Sequence, residues 1–372
     1  MAKRRLLSLV QLPPPMHGAA AINESVVQSK TINALFDHRY VPIQLSISLD
    51  SVGHFRSHKF VTAARNILRV VWKCLLWRPH VVYFTLPPHG GGFYAALPMV
   101  AVIRMLRIQR VFHFHGKGFA LHAQRSSLYR KLMNWATAGS HVILLSRRLV
   151  HDAEGIVDIS RCDYIANFVP PAALEAASVT KMERPFTVLF LSNLVVSKGP
   201  LVVLDAAKLL KERGLDIRVK FAGSFHLPLT EENFANEIAM RDLRNIVEYI
   251  GPIYGAKKFN LIRSSDVFVL PTFYENEAFP LVILEAMSQS VPVIATNEGA
   301  IADMISDGQT GVLLQTANAE RLADAIEFLI HNPKELSSMG GQARDLVARQ
   351  FTYEAFESKL IEIISRASAD SE

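Results

Sequence analysis

Short apolar runs alternate with amphipathic helical patterns along this chain of 372 residues, and this alternation constrains the fold more than any other feature. In the first half, strands are predicted at Leu6–Leu12, Val81–Thr85, Val111–Phe114 and Val142–Leu145, and helices at Phe60–Trp77 and Gly92–Leu106. Strands that alternate with helices form parallel sheets with helices on both faces. The pattern therefore predicts an α/β fold.

The alternation restarts after residues 169–185, a stretch rich in Pro, Ala and Ser that has no periodic pattern. The second half is predicted to form strands at Phe186–Leu191, Arg218–Ala222, Val247–Ile250, Val267–Leu270, Val293–Ala295 and Val312–Leu314. Its predicted helices are Pro200–Arg213, Leu281–Gln289, Ala319–His331, Lys334–Gln350 and Tyr353–Arg366. Two doubly wound, Rossmann-like domains are therefore expected to face a central cleft, with ligands at the carboxyl ends of the strands.

The predicted boundaries divide the chain into four parts. Residues 1–170 form an N-terminal Rossmann-like domain, and residues 171–185 form a linker. Residues 186–350 form a C-terminal Rossmann-like domain. Residues 351–372 form a C-terminal helix that is expected to pack back towards the N-terminal domain.

Charge is distributed unevenly along the chain, although the formal net charge is only +6. Residues 1–170 carry a net charge of +14 and the remainder −8, and Ser51–His151 contains 15 Lys and Arg but no Asp or Glu. Because a solvated surface normally mixes both signs, the first half is expected to meet an anionic partner. A membrane surface, a phosphorylated lipid and a nucleic acid are the classes that this charge allows.

One predicted helix places this charge beside apolar side chains. Arg65, Arg69 and Lys73 recur every four residues and therefore line one face. Trp72 and Trp77 suit the headgroup region of a bilayer. These residues predict peripheral binding to an anionic membrane, or a basic groove for an acceptor. The alternative is a surface helix whose apolar stripe packs on the sheet and whose basic side chains are merely solvated.

Other features bear on where the protein works. Two cysteines, Cys74 and Cys162, are too few for a disulfide framework, which favours a reducing compartment. The longest apolar runs, such as Tyr94–Ile103, are shorter than the roughly 18–20 residues that span a bilayer. Gln11 and the prolines at 13–15 are unlike a signal peptide. A cytoplasmic protein, associated peripherally with the inner face of the membrane, is expected.

Several common catalytic motifs are absent from the sequence. The chain has no P-loop, no Gly-x-Gly-x-x-Gly after a strand, and no Asp-x-Asp pair that could hold a metal–nucleotide complex. His113 and His115 fall on one face of a predicted strand but have no third ligand nearby. We therefore predict no metal site, and a pocket role for a histidine at the carboxyl end of that strand.

Residues 271–303 contain the richest group of polar side chains. A loop that includes Glu277 follows a strand, and a helix is predicted to begin at Pro280 with its positive end towards the cleft. If the whole span were helical, Glu277 and Glu285 would lie roughly 12 Å apart. That distance is too long for the carboxylate pair of a retaining glycosidase. Two carboxylates that hold different hydroxyls of one long ligand fit the spacing better.

Glu277 and Glu285, with seven residues between them, resemble the paired glutamates of retaining glycosyltransferases of family 4, which have the GT-B fold. Further motifs stand in the order found in that family: Ile143–Ser146, Asn167–Val169, Leu191–Leu194, Ser197–Gly199, Gly223, Gly251–Ile253, Asp266–Pro271 and Asp307–Gly311. The resemblance covers the C-terminal half closely and the N-terminal half loosely. It extends to bacterial enzymes of glycan assembly and makes the C-terminal domain the one that binds a nucleotide sugar.

The resemblance implies a role for each matching residue. Lys198 would neutralise the diphosphate of the donor, Glu277 would hold hydroxyls of the donor sugar, and His115 would reach that sugar; these three are the implied catalytic residues. Glu285 would hold the ribose, and the main chain at Ile253 would meet the base. The implied donor-binding residues are Gly18, Asn193, Lys198, Ile253, Glu277, Ala278, Phe279, Pro280, Leu281 and Glu285.

Three positions depart from the family pattern. Asn193 stands where the family usually has Arg, so one phosphate charge is missing or is supplied elsewhere; amides of the loop at His17 and Gly18 would assist. Ala278 replaces the usual glycine after the first glutamate. Pro280 stands where many members have glycine, which removes one amide donor to the sugar.

These features together predict a retaining, metal-independent glycosyltransferase of the hexosyltransferase type. It would move a sugar from a nucleotide-diphosphate sugar to a glycan or lipid-linked saccharide in polysaccharide biosynthesis, without a cofactor and without binding nucleic acid. The first alternative is a sugar-nucleotide epimerase or a phosphorylase of the same fold, and the second is a non-enzymatic basic binding protein. The base, the sugar and the acceptor are left open.

Overall fold

The computed structural model describes residues 3–14, 18–43, 57–170 and 185–370, with the backbone alone over residues 57–63. The chain forms two units. One comprises Met1–Asn167 together with Glu354–Glu372, and the other comprises Phe168–Tyr353. Residues 171–184, which make up most of the predicted linker, lie outside the described residues.

The first unit contains a six-stranded parallel sheet. Its strands are β1 (Arg5–Val10), β2 (Asp37–Pro42), β3 (Val81–Phe84), β4 (Gln109–Phe114), β5 (His141–Leu144) and β6 (Cys162–Tyr164). They stand in the order β2-β1-β3-β4-β5-β6. The helices are α1 (Gly18–Gln28), α2 (Lys30–Leu35), α3 (Ser57–Leu76), α4 (Gly90–Met105), α5 (Phe119–Arg125), α6 (Ser127–Thr137) and α7 (Val150–Ala153).

The second unit repeats this architecture with a six-stranded parallel sheet of its own. Its strands are β7 (Phe186–Leu191), β8 (Ile217–Ala222), β9 (Val247–Gly251), β10 (Val267–Leu270), β11 (Val293–Thr296) and β12 (Gly311–Leu314). Their order is β12-β11-β10-β7-β8-β9. The helices are α8 (Pro200–Glu212), α9 (Glu231–Met240), α10 (Gly255–Arg263), α11 (Leu281–Ser288), α12 (Ile301–Met304), α13 (Ala319–His331) and α14 (Pro333–Gln350).

The two sheets confirm the predicted α/β architecture of two doubly wound units. The strands with continuous apolar runs are the ones that the sequence predicts well: β7 and β10 have the predicted bounds. Two strands were missed. β2 is an edge strand with mostly exposed or half-buried side chains, and β6 has three residues, none fully buried. Neither contains the apolar run by which a buried strand is recognised.

The last helix, α15 (Tyr353–Ala369), belongs to the first unit from residue 354 onward. The carboxylate of Glu357 accepts hydrogen bonds from the hydroxyls of Ser29 and Thr31 at 2.5 and 2.9 Å. Near the end of the helix, Arg366 pairs with Asp163 of β6. These polar contacts, added to buried apolar residues along the helix, hold the end of the chain against the first sheet.

Candidate active site

Two loops meet at the carboxyl edge of the second sheet, where β7 and β10 are neighbours. After β7 the chain makes a 3-10 turn at Val196–Lys198 and then enters α8. After β10 it forms the loop that contains Glu277 and leads into α11. Because neighbouring parallel strands bring their loops to the same edge, Lys198 and Glu277 come into contact from positions 79 residues apart.

Gly199 sets the spacing between these loops. Its φ of +84° lies in the left-handed region, and a Cβ at this position would stand 2.2 Å from the carbonyl oxygen of Pro271. The amide of Phe273 also donates a 2.7 Å hydrogen bond to the carbonyl of Ser197. Since glycine alone tolerates both this conformation and this approach, the loops after β7 and β10 form one rigid corner.

Lys198 and Glu277 form an ion pair inside this corner, with side chains that are 15% and 7% exposed. The Nζ of Lys198 also lies 4.9 Å from the centroid of the Tyr274 ring, which is a cation–π contact. The hydroxyl of Thr272 lies 3.4 Å from Oε2 of Glu277. The ammonium of Lys198 can therefore bind an anionic group. The carboxylate of Glu277, directly beside it, can accept hydrogen bonds from hydroxyl groups.

Gly299, in the loop after β11, holds the Glu277 loop from its other side. Gly299 has a φ of +57°, and a Cβ there would stand 2.1 Å from the carbonyl oxygen of Glu277. The next amide, that of Ala300, donates a 2.9 Å hydrogen bond to the carbonyl of Ala278. Backbone contacts on two sides thus hold the main chain at Glu277 in place.

Glu285, the second predicted carboxylate, belongs to a separate ion pair. It lies in α11 with its side chain 12% exposed, and Oε1 accepts a 2.5 Å hydrogen bond from Nζ of Lys258 in α10. Lys258 was not among the residues predicted from the sequence. A lysine in a polar helix normally lies on a solvated face, so its contact with α11 has no signal in the local sequence.

The other predicted donor-binding residues of this unit lie in the loops at the same edge. Asn193 is exposed two residues after the end of β7, and Ile253 is half-buried between β9 and α10. Ala278 and Phe279 are buried, and the ring of Phe279 lies 6.2 Å from that of Phe351. These positions agree with a site at this edge, while their individual contacts with a donor stay predictions.

Helix α11 starts at Leu281, as the predicted helix Leu281–Gln289 does, and not at Pro280. Pro280 is the N-cap, with an extended backbone (φ −72°, ψ 102°), and the helix begins at Leu281. A proline has no side-chain acceptor, so the first amides of α11 are not capped by this residue. Just upstream, Oδ1 of Asn276 is buried and has no hydrogen-bond partner among the residues that the structure describes. Asn276 is thus an additional polar group at this site.

In the first unit, His115 follows directly on β4 and its ring centroid lies 4.1 Å from that of His113. His113 is fully buried and hydrogen-bonded through Nδ1 to the hydroxyl of Tyr83 at 2.8 Å. Burial, and after it the neighbouring His115, lowers the pKa of His113 well below its usual value. His113 is therefore neutral and structural, and the contact of His115 with a donor sugar stays a prediction.

Two further expectations concern the first unit. Gly18 is the first residue of α1, and His17 lies outside the described residues. Their contact with a diphosphate stays a prediction. Among all residues that the structure describes, no three His, Cys, Asp or Glu side chains lie close enough together to hold a metal ion.

Helix α3 packs one part of its apolar surface and leaves another part in solvent. Val70 and Cys74 are buried, whereas Leu68 and Trp72 are 67% and 68% exposed and Leu76 is also exposed. Only part of the apolar face of α3 therefore packs against the rest of the unit. A surface helix that is fully packed would bury all of this face. In the described ranges, no helix is both long enough and apolar enough to cross a membrane.

The basic residues of α3 lie beside this exposed apolar surface. Arg65 and Arg69 are exposed, Lys73 is half-buried, and all three line an open groove of about 840 Å³. Trp77 differs from Trp72, because it is half-buried and its Nε1 donates to Asp37 at 3.2 Å. The expectation that both tryptophans are available to a bilayer therefore fits Trp72 better than Trp77.

Residues 174–346 match the family model described as glycosyl transferases group 1. The matched region contains both ion pairs, Lys198 with Glu277 and Lys258 with Glu285. This part of the chain, which lies in the second unit, is therefore similar to the group 1 glycosyl transferases. Within this region, Lys198 and Glu277 are in contact at the carboxyl edge of the second sheet, and Glu285 lies in α11.

Curated relatives match a similar share of the chain. D-inositol 3-phosphate glycosyltransferase of Paenarthrobacter aurescens is 34% identical over 157 residues, which are 42% of this chain and 38% of that protein. The putative colanic acid biosynthesis glycosyltransferase WcaL of Salmonella typhimurium is 26% identical over 194 residues, 50% of this chain and 47% of that protein. The chain thus spans less than half the length of these relatives.

Solved structures match nearly the whole chain. A glycosyltransferase of Rickettsia africae superposes with a TM-score of 0.76 at 20% identity and covers 98% of both chains. HepE of Anabaena, solved in complex with UDP, has a TM-score of 0.72 at 16% identity and covers 97% of this chain and 100% of its own. These likenesses confirm the predicted GT-B class of fold, and they extend beyond residues 174–346.

Proposed function

We propose that this protein is a retaining, metal-independent glycosyltransferase that moves a sugar from a nucleotide-diphosphate sugar to a glycan or lipid-linked saccharide. The observation that carries the proposal is the contact of Lys198 with Glu277 inside the region similar to the group 1 glycosyl transferases. An ammonium suits a diphosphate and a carboxylate suits sugar hydroxyls. Their contact in one rigid corner fits a ligand in which a sugar is joined directly to a diphosphate.

The leaving group determines what the site must supply. As the bond from the sugar to the diphosphate breaks, negative charge grows on the phosphate oxygens, and fixed positive groups stabilise it. Lys198 supplies such a charge from a loop held by Gly199. The first amides of α11 lie at the same edge and point their positive end towards it. Catalysis would then rest on positioning and charge stabilisation.

The remaining contacts orient the donor and the attack. Glu277 would accept hydrogen bonds from the donor sugar, Glu285 from the ribose, and the main chain at Ile253 would meet the base. In the retaining mechanism implied by the resemblance, the acceptor hydroxyl attacks on the face from which the diphosphate leaves. Asn193 contributes no charge at the position where relatives of this type usually carry one, so Lys198 bears more of the stabilisation.

Nucleotide binding is the first test. HepE of Anabaena was solved with UDP and with UDP-glucose, so UDP is the first probe, followed by GDP, ADP and dTDP. At 100 times its dissociation constant, a bound nucleotide stabilises the folded state by about 2.7 kcal/mol. We expect one of the four to raise the melting temperature by several degrees. No shift with any of them, and no consumption of the matching nucleotide sugars, would contradict the proposal.

A control reaction without acceptor distinguishes a transferase from an epimerase of the same fold. A transferase incubated with donor alone should return the donor unchanged, apart from slow hydrolysis to free sugar. Formation of an epimer of the donor would instead identify an epimerase. The assay is quantified by chromatography of the nucleotide sugars before and after incubation.

Metal independence is tested by chelation. Because Lys198 and the first amides of α11 provide the positive charge for the diphosphate, transfer is expected to keep most of its rate in excess EDTA. The measurement is the initial rate of nucleotide release with and without the chelator. Complete loss of transfer that Mg²⁺ or Mn²⁺ restores would show that a metal ion carries this charge instead.

We also propose that the first unit binds an anionic membrane surface through α3. The support is the exposed apolar surface formed by Leu68, Trp72 and Leu76 beside the basic Arg65 and Arg69. Each basic residue near an anionic leaflet contributes about 1 kcal/mol, so several together give reversible binding. An exposed tryptophan and leucines beside them would enter the headgroup region. Such a surface would bring the enzyme to a lipid-linked acceptor.

Liposome co-sedimentation tests this surface. Vesicles with anionic lipid should retain the protein at low salt and release it at high salt, since the screening length is about 10 Å at 0.1 M. Replacing Arg65 and Arg69 by glutamate should abolish binding. Arg130→Glu with Lys131→Glu, two exposed residues of α6, is the matched control and should bind as the unmodified protein does. Equal binding to neutral vesicles, or none to anionic ones, would contradict the proposal.

A further inference from the structure

The ion pair of Lys258 with Glu285 is not explained by the charge stabilisation proposed above. Its two side chains are 22% and 12% exposed, so it is not a freely solvated surface pair. The ammonium contacts Oε1 at 2.5 Å. Among the described residues, Oε2 of Glu285 has no hydrogen-bond partner, and it is not one of the atoms sealed from solvent. The pair therefore uses one carboxylate oxygen and leaves the other available.

The same two helices are joined at a second point. Nη1 of Arg263, the last residue of α10, donates a 2.9 Å hydrogen bond to Oε1 of Gln289, which follows α11. Buried residues such as Ile262 and Leu284 lie on these helices as well. The contact between α10 and α11 thus does not depend on Lys258 alone, and a purely structural role for the lysine explains little.

The position of the pair points to the nucleotide. Lys258 is in the first half of α10, the helix that follows Ile253, and Glu285 is on α11, the helix that follows the Glu277 loop. Both helices begin at the carboxyl edge where ligands of doubly wound sheets bind. A glutamate held by a charge-assisted hydrogen bond has fewer orientations to lose when it binds a ligand.

We propose that Lys258 is a positioning residue that holds Glu285 so that Oε2 accepts a hydrogen bond from a hydroxyl of the donor's ribose. This inference rests on the proposed function, because it needs a nucleotide in the site. It adds to that function a residue that controls how strongly the protein requires a ribose hydroxyl. A nucleotide that lacks the hydroxyl leaves a partly buried carboxylate oxygen unsatisfied.

Binding of deoxy analogues tests the proposal. Dissociation constants are measured by calorimetry for UDP, 2′-deoxy-UDP and 3′-deoxy-UDP, with the GDP series in parallel, against the unmodified protein and Lys258→Met. The unmodified protein should prefer the ribonucleotide over one of its deoxy analogues by at least about tenfold. In Lys258→Met, binding of the ribonucleotide should weaken by about tenfold and that of the analogue should barely change, so the preference nearly disappears.

Three variants separate positioning from other effects. Lys257→Met removes the same charge from an exposed neighbour and should keep the preference. Arg263→Met removes the other link between α10 and α11 and should lower the melting temperature without removing the preference. Lys258→Arg keeps a cation beside Glu285 and should retain most of the preference for the ribonucleotide.

The outcomes distinguish this inference from the proposed function. If the unmodified protein binds neither the UDP nor the GDP series, the proposed function fails. If it binds one series and Lys258→Met keeps the full preference, the positioning role is wrong. Tighter binding of the ribonucleotide by Lys258→Met would also overturn it, because the lysine would then compete with the ribose for Glu285.

Discussion

Replacing Lys198 by alanine is expected to lower the rate of sugar transfer by about 10²–10³-fold, the usual cost of removing one electrostatic contact from a developing anion. The protein should remain folded, since the loops after β7 and β10 are also joined by the contact of Gly199 with Pro271 and by a backbone hydrogen bond. The measurement is kcat with a saturating nucleotide sugar, together with the melting temperature. Unchanged turnover would show that Lys198 does not contact the diphosphate.

A second variant is needed to separate loss of activity from loss of stability, because Glu277, the partner of Lys198, is buried. Removing the lysine leaves the Glu277 carboxylate without its cation, and breaking a buried pair in this way typically costs about 3–5 kcal/mol of stability. Lys198→Met with Glu277→Gln removes both charges and should recover most of the melting temperature without recovering transfer. Lys208→Ala, a solvated lysine of α8, should leave both quantities unchanged. Recovery of transfer in the double variant would show that the loss came from instability.

Replacing Gly299 by alanine is expected to destabilise the second unit by more than about 4 kcal/mol and to abolish nucleotide binding. Its φ of +57° disfavours any residue with a Cβ. The added atom would also stand 2.1 Å from the carbonyl oxygen of Glu277. Relief requires movement of the peptide that carries Glu277, so stability and binding should be lost together. Urea unfolding and calorimetry with UDP or GDP measure the two effects.

Gly308→Ala is the matched control for this variant. Gly308 has a similar φ of +73°, but a Cβ there would meet nothing within 4 Å. Its cost should be limited to backbone strain of about 1–3 kcal/mol, with nucleotide affinity unchanged. If both glycine variants lose the same stability, the close approach of Gly299 to the Glu277 loop does not explain the loss in Gly299→Ala.

The fold was predictable wherever one segment contains its own signal. β10 consists of Val267–Leu270, four buried apolar residues after which the chain turns, and its bounds were predicted without error. β2 could not be found in this way, because Asp37–Pro42 is polar and becomes a strand through its pairing with β1. An edge strand of this kind obtains its hydrogen bonds from a neighbour that is distant in sequence.

In the candidate site as well, some residues could be identified from the sequence and others only from the tertiary structure. Lys198, Glu277 and Glu285 were identified because their spacing resembles that of a known family, and their positions in loop and helix follow from the local pattern. Lys258 was not identified, because its contact with Glu285 depends on how α10 packs beside α11. Likewise, no sequence pattern shows that Gly299 lies against the peptide of Glu277.

The sequence by itself determined two parallel α/β units and the strongly basic first half. These properties follow from apolar periodicity and composition, both of which act within short segments. The side chains expected to meet a nucleotide sugar were predicted from the resemblance to a known family. The tertiary structure alone decided which charges are paired, which backbone atoms touch and which apolar residues of α3 stay in solvent. Such contacts join residues that are far apart in the chain, and they arise only when the sheets order the loops and helices around them.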